Sequence, residues 1–251
     1  MSSNNTGLSP SKPRISVVVT DIDNTLFDWV DVWYRSFYAM LTRLVSDSGV
    51  SREELEREFR AIHQAHGTSE YAFSIEELPS LRTRHPAGDL AVHYRAAIDA
   101  YRDARRASLT LYSGVMDTLK QLKAAGCLVI GYTESMAYYS NYRLRRLKLD
   151  GVLDYLYSPA DHDLPNGLTP EQIRKYPAER YALHHTIHRH TPKGALKPEP
   201  AVLRRILRDL NVNAAETIYV GDSLTKDIVM AQQADVIDVF AAYGVTHDSE
   251  R

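Results

Sequence analysis

Cysteine is almost missing. Cys127 is the single one in 251 residues, which excludes a disulfide framework within the chain and a cysteine zinc cluster. An excess of one charge is missing too. Thirty basic side chains face 32 acidic ones, for a net charge of −2, so no overall field recruits nucleic acid or an anionic membrane. No apolar run approaches the ~18 residues that a spanning helix needs. The opening MSSNNTGLSPSKP, residues 1–13, lacks the apolar stretch of a secretory signal and reads as a disordered tail. The cytoplasm is therefore the expected compartment. With 44% apolar and 25% charged residues, the composition is that of an ordinary globular protein, which argues against wholesale disorder, collagen or coiled coil.

What is present alternates. Ile15 to Thr20 (ISVVVT) is a short β-branched run, as a buried parallel strand requires. Trp29 to about Val45 carries apolar residues at helical spacing: Val30, Trp33, Phe37, Met40, Leu41 and Leu44. Ser51 with Glu54 fits a capping box that opens another helix. Helical character continues to about Leu109, with breaks near Pro79 and Pro86. A helix follows from Gly114, with Val115, Leu119 and Leu122 on one face and Gly126 as its stop. Cys127 to Tyr132 (CLVIGY) reads as a strand, followed by a Tyr/Arg-rich helix to about Lys148. Val152 to Tyr157 is a further strand candidate. Residues 158–196 hold Pro159, Pro165, Pro170, Pro177 and Pro192 and read as an irregular insertion with one or two short helices, one starting at Thr169-Pro170-Glu171-Gln172. A helix then carries Val202, Leu203, Ile206, Leu207 and Leu210 on one face. Thr217 to Val220 (TIYV) and Val236 to Phe240 read as strands separated by a helix.

Strands alternating with helices predict an α/β fold with a doubly wound, Rossmann-like parallel sheet. Such sheets bind ligands beyond the carboxyl ends of their strands. The polar clusters fall there: Asp21 and Asp23 after the first strand, Thr133 after the second, and Asp222 in GDSLTKD after TIYV. Asp21, Asp23, Asp222 and Asp227 would repel one another if brought together unpaired. A divalent cation removes that cost, and Mg²⁺ prefers oxygen ligands while also binding a substrate phosphate. Lys197 and Thr133 add a cation and a hydroxyl donor for an anionic substrate. That set suits phosphoryl transfer, where positioning and charge neutralisation do most of the catalysis, and a carboxylate can serve as the covalent nucleophile.

Asp21-Ile22-Asp23-Asn24-Thr25, Thr133, Lys197 in LysProGluPro, and Gly221-Asp222-Ser223 with Asp227 resemble, in order, the four motifs of the haloacid dehalogenase superfamily of phosphohydrolases. The resemblance covers about residues 14–27 and 111–240. It implies a Rossmann-like catalytic core at 14–27 and 111–251, carrying the 158–196 insertion, and an inserted α-helical cap at 28–110 that closes over the site. It implies that Asp21 is the nucleophile and that Asp23 protonates the leaving alcohol, then activates water. Thr133 and Lys197 hold the phosphoryl oxygens. Asp21, the backbone carbonyl of Asp23, and Asp222 ligate Mg²⁺, while Asp227 orients metal waters or Lys197. The expected activity is Mg²⁺-dependent hydrolysis of a small phosphorylated metabolite through an aspartyl-phosphate, with no nucleic-acid or membrane partner. A phosphomutase on a sugar phosphate and a non-catalytic binding or regulatory protein are the alternatives. A dehalogenase is opposed by Asp23, which the family's dehalogenases lack.

Three further clusters have plainer readings. His184, His185, His188 and His190 place two imidazoles at i, i+4, as a zinc site on a helix would, but no third ligand is evident and a solvated helix is expected. Arg82, Arg84 and His85 could meet an anionic substrate or simply face water. Tyr138, Tyr139 and Tyr142 are expected to pack a helix rather than stack bases.

Overall fold

Six short runs of extended chain align side by side. They are β1 (Val17–Thr20), β2 (Leu128–Tyr132), β3 (Tyr155–Ser158), β4 (Ile187–His190), β5 (Thr217–Gly221) and β6 (Ile237–Phe240). In the computed structural model, which describes residues 14–161 and 177–245, they form one parallel sheet in the order β4-β3-β2-β1-β5-β6. The fold is α/β, as the alternation predicts. β1 is central and buried along its length, which is why it reads as an unbroken β-branched run. Chain order runs outward from β1 through β2 and β3 to β4, then returns to β5 on the other side of β1. That reversal places the binding crevice at the carboxyl ends of β1, β2 and β5. Thr20 is level with both Gly131 and Val220, so the residues that follow these three strands emerge together.

Contacts divide the chain into two units, residues 1–28 with 111–251, and residues 29–110. The first unit's core packs Val17, Val19, Ile130, Tyr132 and Tyr219 against Val202, Leu203, Ile206 and Leu207. It leaves and re-enters this unit at adjacent points: Phe27 pairs with Leu111, and Tyr112 N–H donates to the Leu26 carbonyl at 2.9 Å.

The second unit is helical: α1 (Trp29–Ser48), α2 (Arg52–His66), α3 (Pro79–Arg84), α4 (Leu90–His93) and α5 (Arg95–Ser108). Ser51 caps α2, its hydroxyl accepting from Glu54 N–H at 3.2 Å. Pro79 opens α3 rather than ending a helix, since a first-turn proline has no amide bond to lose. Phe37, Leu41, Leu44, Leu55, Phe59 and Leu81 form this unit's own core. Arg82 staples a loop, donating to the carbonyls of Gly88 (2.7 Å) and Glu76 (3.0 Å) and pairing with the Glu76 carboxylate (3.1 Å). The His85 ring lies 3.8 Å from that of His93.

The histidine run corrects the sequence reading. Ile187–His190 is an edge strand, not a solvated helix, so His184 and His188 do not share a helix face. Asp150 fixes the turn before it by accepting from the amides of His184, His185 and Thr186 at 2.8, 3.0 and 2.9 Å. Within 158–196, Ile187–His190 thus adds the edge strand of the sheet. The helix start expected at 169–172, and the tail at 1–13, lie outside the described residues. Among the described residues no helix is long and apolar enough to cross a membrane.

Candidate active site

The first cluster gathers acids around one lysine. Lys197 is 6% exposed, and its ammonium donates to Asp21 Oδ1 and lies 2.8 Å from Asp227 Oδ1. It also lies 4.9 and 5.6 Å from the Tyr132 and Tyr219 ring centroids, cation–π distances that help hold a buried charge. Asp227 is fixed from every side. Tyr219 Oη donates to Oδ1 at 2.9 Å and Ser223 N–H to Oδ2 at 3.1 Å. Gly221 permits this. A Cβ there would stand 2.4 Å from Asp227 Cγ, so only glycine lets the end of β5 approach that carboxylate.

Asp222 joins the acids through Thr25. The fully buried Thr25 hydroxyl is 3.3 Å from both Asp21 Oδ2 and Asp222 Oδ1. It has one proton, so it serves one carboxylate at a time. Tyr243 Oη donates to the Thr25 carbonyl at 2.9 Å and anchors that loop. Glu134 ties the remaining parts together, accepting from Lys197 N–H and from the Lys226 ammonium, both at 2.8 Å.

The second cluster surrounds Asp23. Thr133 Oγ1 and Ser135 Oγ donate to its Oδ2 at 2.9 and 2.7 Å. Arg143 Nη1 lies 3.0 Å from Oδ1 and donates to Ser135 Oγ at 2.7 Å. Thr133 accepts from Ser135 N–H at 3.0 Å. That is a turn two residues long which precedes α7 (Ala137–Arg146), the helix after α6 (Val115–Ala124), not a cap on the helix itself. Three of the four motif carboxylates thus converge with Lys197, while the side chain of Asp23 is held with Thr133 beside them.

Charge is unbalanced in the first cluster. Burial pushes the Asp21 carboxyl up to about 8; Lys197 opposes this, and Asp227 and Asp23 add to it. Burial likewise raises Asp222, with Asp227 adding to the shift. Burial alone would lower Lys197, but Asp21, Tyr219 and Asp227 outweigh it and hold the ammonium well above the usual lysine range. The lysine is charged, yet one cation cannot neutralise three acids. Oxygens of Asp21, Asp222 and Asp227 lie within 4.8 Å of one another. Hard carboxylate donors with surplus negative charge fit a divalent cation. Among the described residues this is the one such group of three, and none is built on the histidines.

A model of haloacid dehalogenase-like hydrolases matches residues 15–235. The chain belongs to that family. A haloacid dehalogenase-like hydrolase of this kind is also similar, at 26% identity over 94% of this chain and 88% of the other, to the glyceraldehyde 3-phosphate phosphatase of Methanopyrus kandleri. Two solved structures share the fold. One is the 2-haloacid dehalogenase of Pseudomonas syringae (TM-score 0.54, 19% identity, 90% of this chain and 86% of that one). The other is a candidate β-phosphoglucomutase of Thermotoga maritima (0.55, 18%, 88% and 82%).

Within this hydrolase the sequence reading did not single out Ser135, Glu134, Arg143 or Tyr219. For Arg143 a signal existed. It falls on the helical face of α7 that also carries Ala137, Ser140 and Leu144, all buried, where an unpaired charge would be costly.

Proposed function

We propose that the protein is a phosphatase that hydrolyses a small phosphorylated metabolite through an aspartyl-phosphate on Asp21. The observation that carries this is the convergence of Asp21, Lys197, Asp222 and Asp227 at the carboxyl ends of neighbouring parallel strands, beside Asp23 and Thr133. The Asp21 carboxylate attacks phosphorus and the bond from phosphorus to the ester oxygen breaks. Asp23 gives that oxygen its proton. Asp23 then takes a proton from water, whose oxygen attacks the phosphorus of the aspartyl-phosphate. Inorganic phosphate leaves and Asp21 is restored.

Lys197 supplies positive charge to the transferring oxygens, and Asp227 with Tyr219 holds it in place. Thr133 gives its single hydroxyl proton to Asp23 in the free protein and can redirect it to a phosphoryl oxygen when substrate is bound. Mg²⁺ would be held by Asp21, Asp222 and the backbone carbonyl of Asp23, with Asp227 kept for Lys197; when bound it neutralises charge on the carboxylates and the phosphate.

The name of the Methanopyrus kandleri relative makes a three-carbon phosphorylated aldehyde the first compound in a substrate panel. The test is phosphate release with Mg²⁺ from that panel and from 4-nitrophenyl phosphate. Asp21→Asn is expected to abolish turnover and Asp23→Asn to lower it by ~10²–10⁴-fold. Equal rates for wild type and Asp21→Asn would refute the reading.

A further inference from the structure

We infer that Arg143 is a positioning residue, which sets the orientation of the Asp23 carboxyl for proton transfer to the leaving group. The inference rests on the phosphatase reading and extends it to a residue outside the four motifs.

Hydrogen-bond direction makes the case. Thr133 and Ser135 each have one hydroxyl proton, and both protons point at Asp23 Oδ2. Ser135 Oγ is free to give its proton because Arg143 Nη1 supplies one to it at 2.7 Å. Arg143 therefore governs Oδ2 at second hand. It also faces Oδ1 directly at 3.0 Å, and among the described residues Oδ1 receives no aligned hydrogen bond. Two donors thus occupy one oxygen, while the other meets charge without being capped. Arg143 therefore sets the direction of both carboxyl oxygens, one directly and one through Ser135.

The arginine is itself immobilised. It is 5% exposed, and its guanidinium carbon lies 5.6 Å from the centroid of the buried Phe27 ring and 6.0 Å from that of Tyr139. A planar fork resting against two rings keeps its direction, which a flexible ammonium would not. Burying a guanidinium is unfavourable without such pairing.

Leaving-group dependence tests this. A 4-nitrophenolate departs without needing a proton, whereas an alkoxide needs one. Arg143→Lys keeps the charge and loses the fork. It should lower kcat/KM for an alkyl phosphate such as glycerol 3-phosphate by ~10²-fold, the scale of a general acid, and leave 4-nitrophenyl phosphate within a few fold. Arg143→Met, checked for folding by its circular dichroism melt, should widen that gap. Ser135→Ala, which removes only the relay, should show a smaller gap of the same sign. Equal losses on both esters in Arg143→Lys and Ser135→Ala would assign Arg143 to packing alone and overturn the inference. If wild type turned over neither ester, the phosphatase reading would fail and this inference with it; unequal losses support both.

Discussion

Adding one methyl group at Gly221 should cost far more than adding one at Gly131, although both glycines lie in neighbouring parts of the same sheet. At Gly131 a Cβ meets the ends of flexible side chains: Ile22 Cδ1 at 2.9 Å, Leu153 Cδ1 at 3.0 Å and Leu156 Cδ1 at 3.3 Å. Small rotations relieve these contacts, so Gly131→Ala should cost ~1 kcal/mol, the low end for overpacking. At Gly221 the Cβ meets Asp227 Cγ at 2.4 Å, Cβ at 2.5 Å and Oδ2 at 2.7 Å. Asp227 has nowhere to go, because Lys197, Tyr219 and the Ser223 amide hold both of its oxygens. Moving it leaves Lys197 short of a partner, and removing one member of a buried ion pair costs ~3–5 kcal/mol. Gly221→Ala should therefore destabilise by about that amount and also reduce turnover, since Lys197 is loosened. Urea unfolding should be followed by circular dichroism. Both tryptophans, Trp29 and Trp33, lie in the helical unit, so fluorescence would report the wrong part of the molecule. A Gly221→Ala protein within ~1 kcal/mol of Gly131→Ala, with turnover unchanged, would refute the view that Asp227 is immobile.

Three further predictions concern protons. With its carboxyl raised to about 8, Asp21 is mostly protonated at pH 7 in cation-free protein, so binding Mg²⁺ should expel about one proton; calorimetry in buffers of different ionisation enthalpy counts it, and zero release would contradict the assignment. A raised folded-state pKa gives stability that is present at low pH and lost as pH rises toward 8. The melting temperature in EDTA should therefore fall between pH 7 and 8.5, and excess Mg²⁺ should flatten that slope. His188 has the opposite sign. Burial, then His190, lowers its pKa from 6.5 to about 4, so the unfolded chain binds the extra proton in that window and stability is lost as pH drops through it. Discounted for partial exposure, the loss is up to ~2 kcal/mol. His188→Asn should reduce the drop in melting temperature between pH 7 and 4.5, and an unchanged drop would argue against a half-buried His188 held neutral by its surroundings.

What the sequence reveals and what it hides follow from the range of the interactions. β1 and β2 lie between paired strands and are largely buried, so their residues are mostly apolar, and they can be read locally. The site residues are legible for a related reason. A strand must end, and polar side chains placed at that point have little reason to be there except a ligand. Ile187–His190 obeys neither rule. As an edge strand it pairs on one side with β3, exposes Ile187, and tolerates His188, Arg189 and His190 because water reaches its open side. The same four residues would sit equally well on a solvated helix, and only their pairing with β3, across a stretch from 155 to 190, decides.

Arg143 shows the remaining gap between pattern and site. Its position on the buried face of α7 is a local anomaly, a charge among apolar and small residues. The residue that explains it, Asp23, is 120 positions earlier. Periodicity can mark such a residue as needing a partner; it cannot say which acid provides one. Lys197 reaches its two acids across gaps of 176 residues back to Asp21 and 30 forward to Asp227. A buried charge is affordable only when another element brings its counter-charge. In this fold the unusual residues in the sequence are therefore the ones whose partners are most distant, and a misplaced charge on an otherwise apolar face points to the site more directly than the apolar pattern around it does.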